Sequence, residues 1–347
     1  MTPRIPVEQP DGSVVMPSFM RMTNGGGSLE SVPGFVHQRA IADRFDKVRL
    51  PVPPGLGTES HPPVPHPAAA LRAWLGTSPA ALGSILPLLL QGPQPGAGFE
   101  TVHGVDDRVK VPDTALIPWR CICHLQIIFE NGSQGYGTGW LAGPHTVITA
   151  AHCLCDPRTG LRAAEVRVTP GRDGGIGPYG QFVSEDFATA PGWPDDAAGA
   201  CDIGAISLQA HATGMFGDGV GERLGYFGFA HFPDARLDML LVNNSGYPFE
   251  AAKPFATQWF NGGRIRGVER DHVTYMIDTE GGQSGSPVFF YDADADQRLV
   301  IAVHCVGYYP NRGVRITRAV FDMLRGWSEN PPKGRLGARG RSRSRKG

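Results

Sequence analysis

Between Asp278 and Phe290 the chain runs Asp-Thr-Glu-Gly-Gly-Gln-Ser-Gly-Ser-Pro-Val-Phe-Phe. Its glycines permit a tight turn that exposes the Ser284 hydroxyl, and the apolar run after Pro287 reads as a strand. A serine on a turn that leads into a strand fits the nucleophile elbow of an α/β-hydrolase less well. That elbow needs glycine where Ser286 stands and a helix where Pro287 and a β-type run follow. The same turn brings the backbone N–H groups of Gly282 and Ser284 close together, which suits a developing oxyanion. An isolated serine hydroxyl is a weak nucleophile, so chemistry at Ser284 needs a base and an orienting acid from elsewhere in the chain.

Short β-type runs recur at Cys121 to Phe129, Gly137 to Ala142, Thr146 to Thr149, Glu165 to Thr169, Ile203 to Leu208, Leu237 to Asn243, His272 to Ile277 and Leu299 to Val306. Gly, Pro and Asp turns divide them, which predicts an all-β antiparallel sandwich or barrel. One helix is expected from Thr317 to Trp327, where Val320, Met323, Leu324 and Trp327 share a face. The first hundred residues differ. They hold 16 of the 31 prolines, with Gly25-Gly26-Gly27 and one helix-compatible patch from Pro67 to Leu90, and read as a pro-segment, a regulatory extension or a plain disordered leader.

The net charge of −1 selects neither a nucleic acid nor a membrane as partner. The exception is Lys333 to Gly347, where seven of 15 residues are Lys or Arg and nonspecific attraction to nucleic acid or an acidic surface is conceivable. No stretch is long and apolar enough to span a bilayer, and the Pro-broken run Leu82 to Leu90 is expected to pack rather than insert. Met1 to Ser13 lacks the apolar core of a signal peptide.

The expected base is His152, fixed at the end of Val147-Ile-Thr-Ala-Ala151 and near the right basicity at neutral pH. The expected acid is Asp202, directly before the apolar run Ile203 to Leu208, where a carboxylate calls for a partner such as an imidazole N–H. Asp186, Asp195 and Asp196 are rivals without a strand to fix them. Taken singly, each candidate has an ordinary reading as a strand-end histidine, a strand-capping aspartate or a Gly/Ser turn. Cys121-Ile-Cys123-His124 and His152-Cys-Leu-Cys155 raise a zinc reading, but structural zinc sites space cysteines more widely, and buried thiols on strands are expected instead. Asp292-Ala-Asp294-Ala-Asp296 resembles the start of a calcium loop. It has Gln297 where such a loop needs Gly and Val303 where it needs Glu, so a solvated hairpin tip is expected.

Thr146 to Cys153, Asp202 to Leu208 and Gly281 to Val288 together resemble the chymotrypsin-like serine proteases, and more closely the bacterial glutamyl endopeptidases. Asp106-Asp107-Arg108, Gly139-Trp140, Gly246-Tyr247-Pro248, Thr257-Gln258-Trp259 and Asn311 to Thr317 extend the likeness from about Thr101 to Trp327. The resemblance implies two Greek-key antiparallel β-barrels, about 113–222 and 223–318, within a protease domain of 101–328. A helix near 317–327 closes it, residues 1–100 precede it, and a basic disordered tail of 329–347 follows. It implies an acyl-enzyme formed by Ser284 with His152 and Asp202, an oxyanion hole from Gly282 and Ser284, protein or peptide substrates, a monomer, and no metal or organic cofactor.

The resemblance also implies cleavage after glutamate. Thr279 and His304 stand where the family binds the substrate carboxylate, and His304-Cys305-Val306-Gly307 would present a strand edge to the substrate backbone. Two alternatives stay open: Asp278 stands where trypsin-like enzymes select Lys or Arg, and the chain could be a silent binding module on a protease fold. Glu280 sets a second carboxylate near the pocket. Gln283 replaces the aspartate that trypsin-like zymogens pair with a freed N-terminus, and Gly137 stands where secreted relatives can carry a cysteine to pair with Cys153. By position in the family, the mature chain is expected to begin at Thr101 after a cut at Glu100.

Overall fold

The computed structural model describes residues 59–60, 102–103, 106–195, 199–292, 295–307 and 310–336, with the backbone of four short strands before them. Those four form two antiparallel pairs, β1 (Val7–Glu8) with β2 (Val14–Val15) and β3 (Ser18–Arg21) with β4 (Glu30–Pro33). The patch at 67–90 and the Glu100–Thr101 bond lie outside the described residues. Glu59 and Ser60 are tied to the body: Arg298 donates to the Glu59 carboxylate (2.8 Å), and Ser60 bridges Tyr226.

After β5 (Val109–Lys110), the first barrel is built from β6 (Ile122–Phe129), β7 (Gln134–Leu141), β8 (Thr146–Thr149), β9 (Ala163–Pro170), β10 (Phe182–Ser184), β11 (Phe187–Thr189) and β12 (Gly204–Ser207). Their order is β10-β9-β6-β7-β8-β12-β11, all antiparallel. The two end strands follow each other in sequence, so the sheet curls back on itself, and Ser184 Oγ donates to the Ser207 carbonyl across the seam (2.6 Å). Leu125, Ile127, Leu141, Val147, Val166, Val168 and Ile206 share one face and fill the interior, while Trp140 and Ile148 lie buried on the other face, Trp140 against Phe227 and Phe229. Each such side chain contributes about 1.5–3 kcal/mol by leaving water.

The second barrel uses β13 (Gly228–Phe229), β14 (Leu241–Gly246), β15 (Trp259–Val268), β16 (His272–Tyr275), β17 (Pro287–Asp292), β18 (Gln297–Val306) and β19 (Asn311–Arg315). Pairing runs β14-β15-β16-β19-β18-β17 and returns to β14, a closed antiparallel ring. β13 joins β18 in parallel, and β5 joins β15. Val242, Ile265, Val273, Ile277, Val288, Phe290, Leu299 and Ile301 make its core. The two antiparallel barrels implied by the resemblance are therefore present.

Among the described residues the α-helices are few: α1 (Val220–Leu224), α2 (Asp234–Leu237) and α3 (Arg318–Glu329). The strand expected from Leu237 begins at Leu241 instead. Pro233 and Asp234 suit a helix start, and α2 consumes Leu237. Helix α3 is capped by Thr317, whose hydroxyl accepts from Val320 N–H. It runs past Trp327 and buries Phe321 and Leu324, with Val320, Met323 and Trp327 against the core. Its end docks on the first barrel, where Thr146 Oγ1 donates to the Trp327 carbonyl (2.8 Å) and Ser328 Oγ to that of Ala142 (3.0 Å). Residues 330–336, given above to the tail, continue along that barrel with Pro331 and Pro332 buried and Gly334 N–H bonded to Asp186. Residues 337–347 lie outside the described residues.

Candidate active site

Strand β8 delivers His152 into a short 3-10 turn, Ala151–Cys153, at the mouth of the first barrel. Asp202 lies directly before Ile203 and β12, the neighbour of β8, and is 3 % exposed. One Asp202 oxygen accepts the His152 backbone N–H (2.8 Å) and the other bonds the ring Nδ1 (2.7 Å). Both carboxylate oxygens thus act on one residue, fixing ring position and tautomer together. Burial would lower the His152 pKa, but the Asp202 carboxylate outweighs it and holds the imidazole well above its ordinary value. Asp186 is engaged by Gly334 instead, and Asp196 lies outside the described residues.

Ser284 comes from the second barrel, on the turn before β17, and is 8 % exposed. Gly285 lets this turn press onto the first barrel. Its φ is +89°, and a Cβ there would lie 2.1 Å from the Thr138 carbonyl oxygen and 2.9 Å from the Ala150 nitrogen. The Ser284 carbonyl accepts from Thr138 N–H (2.9 Å) and from the thiol of Cys153 (3.8 Å), the residue after His152. The structure thus brings His152, Asp202 and Ser284 to one place across the cleft.

Successive carbonyls of the turn are pinned. Glu280 O accepts from Gln283 N–H (3.0 Å), Gly281 O from Phe249 N–H (2.5 Å), Gly282 O from Thr138 Oγ1 (2.8 Å) and Gln283 O from Ser286 Oγ (2.6 Å). In a trans peptide the N–H points opposite to the preceding carbonyl. The Gly281 carbonyl is held toward Phe249, so the Gly282 N–H faces away from that segment.

Thr279 is fully buried, and its hydroxyl has no hydrogen-bond partner among the described residues. His304 is fully buried on β18, with Nδ1 bonded to the Tyr275 hydroxyl (2.6 Å). Burial, aided by the nearby His152, pushes its pKa down to about 3, so the ring is neutral at pH 7. Beyond it, β17 covers β18 only as far as Pro287 opposite Val303, with Ser286 O accepting His304 N–H (2.9 Å). The segment of Cys305, Val306 and Gly307 continues past that cover.

Asp278 is 2 % exposed and already engaged, accepting backbone N–H groups from His103 (2.6 Å) and Asp107 (3.1 Å). Burial and the Asp278 carboxylate push the Asp107 pKa up to about 7. Asp292 is buried and paired with Arg236 (2.5 Å) at the end of β17, and Asp296 is exposed. Cys123 and Cys305 are buried thiols on strands, and Cys121 is buried at the entry to β6, its pKa pushed up to about 12 by burial.

Residues 137–300 match the trypsin-like peptidase domain. The chain is 37% identical to the glutamyl endopeptidase of Bacillus licheniformis over 239 residues, 67% of this chain and 70% of that protein. The chain belongs to the bacterial glutamyl endopeptidases, a family of trypsin-like serine peptidases. It is also 33% identical, over 66% of its length and 70% of the relative's, to a Bacillus subtilis protein named extracellular metalloprotease. A metal implied by that name finds no ligand set here: among the described residues no group of three or more His, Cys, Asp or Glu is arranged to hold one. A solved Glu endopeptidase in complex with MPD shares the fold, at TM-score 0.57 and 24% identity over 66% of this chain and all of that one. The protease Anisep from Arthrobacter nicotinovorans does so at TM-score 0.50 and 17% identity, over 63% and 99%.

In the sequence Asp106-Asp107-Arg108 stands out only as part of the likeness, and Tyr275, Thr138 and Glu250 carry no local mark. An arginine beside two aspartates was the available signal. Its contacts, 142 to 175 residues away, were not.

Proposed function

We propose that this serine peptidase cleaves protein or peptide substrates after glutamate, through an acyl-enzyme on Ser284. Ser284 Oγ attacks the scissile carbonyl while His152 takes its proton, and Asp202 stabilises the resulting imidazolium. The Gly282 and Ser284 N–H groups receive the oxyanion. His152 then gives the proton to the leaving amine, and water repeats the sequence to free the enzyme. The observation that carries this reading is the pair of hydrogen bonds that Asp202 accepts from His152, beside the backbone of Ser284.

Glutamate specificity is supported by the unpartnered Thr279 hydroxyl, a buried donor in want of an acceptor. Neutral His304, its Nδ1 bonded to the Tyr275 hydroxyl, adds an imidazole as a second polar group for the substrate carboxylate. Selection of Lys or Arg by Asp278 is disfavoured, because its two oxygens are occupied by the 103–107 segment. Glu280 is partly restrained: its Oε1 accepts Gly281 N–H (3.3 Å), and its charge is felt by Arg108. The substrate backbone is taken to pair along Cys305, Val306 and Gly307. A peptide library read by mass spectrometry tests this reading. Cuts should follow Glu far more often than Gln, Lys or Arg, and a preference for basic residues would overturn it.

A further inference from the structure

The residue before Ser284 is a neutral glutamine, and it is not idle. Gln283 is 1 % exposed, and its Oε1 accepts both the Arg108 Nη1–H (2.8 Å) and the Glu280 backbone N–H (3.1 Å). The Arg108 side chain is fully buried. Its remaining contacts are Nε to Asp106 Oδ1 (2.9 Å), Nη2 to Asp106 Oδ2 (2.8 Å) and Nη2 to Glu250 Oε1 (2.7 Å). Lys253 completes the cluster by pairing with Asp106 and with Glu250 (3.1 Å), so two cations face two carboxylates. Burial works against the guanidinium, yet the Asp106, Glu250 and Glu280 carboxylates raise its pKa.

The geometry points to Arg108 as the positioning residue for the oxyanion turn, a cation built into the chain where related zymogens rely on a newly cut amino terminus. This rests on the serine-peptidase reading above. Arg108 holds the Gly281–Gly282 peptide from both sides. Through Gln283 it fixes the residue that follows the peptide. Through Glu250 it fixes the segment whose Phe249 N–H holds the Gly281 carbonyl. The neighbouring β5 pairs Val109 with Phe260 and Lys110 with Trp259, which sets where Arg108 can reach. A planar fork with five donors can serve Gln283, Asp106 and Glu250 at once, whereas an ammonium cannot span them. Gln283 does not titrate and guanidinium does not lose its proton near neutrality, so the Arg108–Gln283 arm of the clamp does not change with pH there.

The test uses the full chain with Arg108→Met, Arg108→Lys and Gln283→Met, rates being expressed per site titrated with a fluorophosphonate. Loss of one oxyanion donor typically costs about 10²–10³ in kcat. A misplaced donor should therefore lower kcat by roughly 10- to 100-fold in Arg108→Met, with little change in KM, and Arg108→Lys should restore only a minor part. Gln283→Met leaves the ion cluster intact, so it reports even if Arg108→Met folds poorly; it should show the same kcat loss. Per-site kcat within twofold of wild type for Gln283→Met and for folded Arg108→Met would overturn the role of Arg108 alone. Failure of the wild type to label at Ser284 would bring down the peptidase reading, and this role with it.

Discussion

Gly137 offers a quantitative test of how the His152 turn sits against β7. A Cβ built at Gly137 lies 3.0 Å from Cys153 Sγ, with Ile127 Cδ1 and the Ser284 carbonyl oxygen both at an ordinary 3.6 Å. In a disulfide, the Cβ of one cysteine lies about 3 Å from the sulfur of the other, given the ~2.04 Å S–S bond. Gly137→Cys should therefore form a bond to Cys153 without backbone movement. The loop closed spans residues 137 to 153, and a loop of about 15 residues is worth roughly 3 kcal/mol. For a domain of this size that is a rise of about 6–12 °C in Tm. The chain has six cysteines, so the variant has seven, and five should titrate under denaturing conditions after mild oxidation. Gly137→Ala is the control and should gain nothing. Seven titratable thiols, or an oxidised variant no more stable than Gly137→Ala, would refute the placement of the His152 turn beside β7.

Because Asp202 raises the His152 pKa, kcat/KM should climb on the alkaline side of about 6.5. The stabilisation that His152 gives the fold is present below that value and is lost as pH rises through the higher folded pKa. Thermal stability should thus decline along the limb on which activity grows. Asp202→Asn should shift that limb to lower pH and reduce kcat by about 10⁴-fold, read from pH–rate profiles. Thr279→Val should weaken glutamyl substrates by roughly 10- to 100-fold, the worth of a hydrogen bond to a charged group. It should also raise Tm slightly, since it removes an unpartnered buried hydroxyl; a fall in Tm would mean the hydroxyl is structural. Edman sequencing of the processed enzyme should begin at Thr101, and a different N-terminus would contradict that processing.

The expected site residues stood out in the sequence because each sits in a local pattern: His152 ends an apolar strand, Asp202 begins one, and Ser284 is flanked by glycines before a third. What was not legible depends on partners far along the chain. Asp278 reads as a pocket acid until His103 and Asp107 are seen to use its oxygens. Strand β15 was invisible because Asn261-Gly262-Gly263 reads as a turn and leaves only the short Arg264-Ile265-Arg266 to alternate. It is a strand because β14 and β16 bind its two edges. Strand β19, with Asn311 and Gly313, is likewise held between β16 and β18. Phe321 escaped the helix-face reading, yet it is among the most buried residues of α3.

The most direct measurement of the catalytic centre is mass spectrometry of the full chain after exposure to a fluorophosphonate, repeated on His152→Ala and Ser284→Ala. A single adduct on the peptide carrying Ser284, much slowed in His152→Ala and absent in Ser284→Ala, is the predicted result. An adduct on another residue, or peptide cleavage that persists in Ser284→Ala, would contradict it.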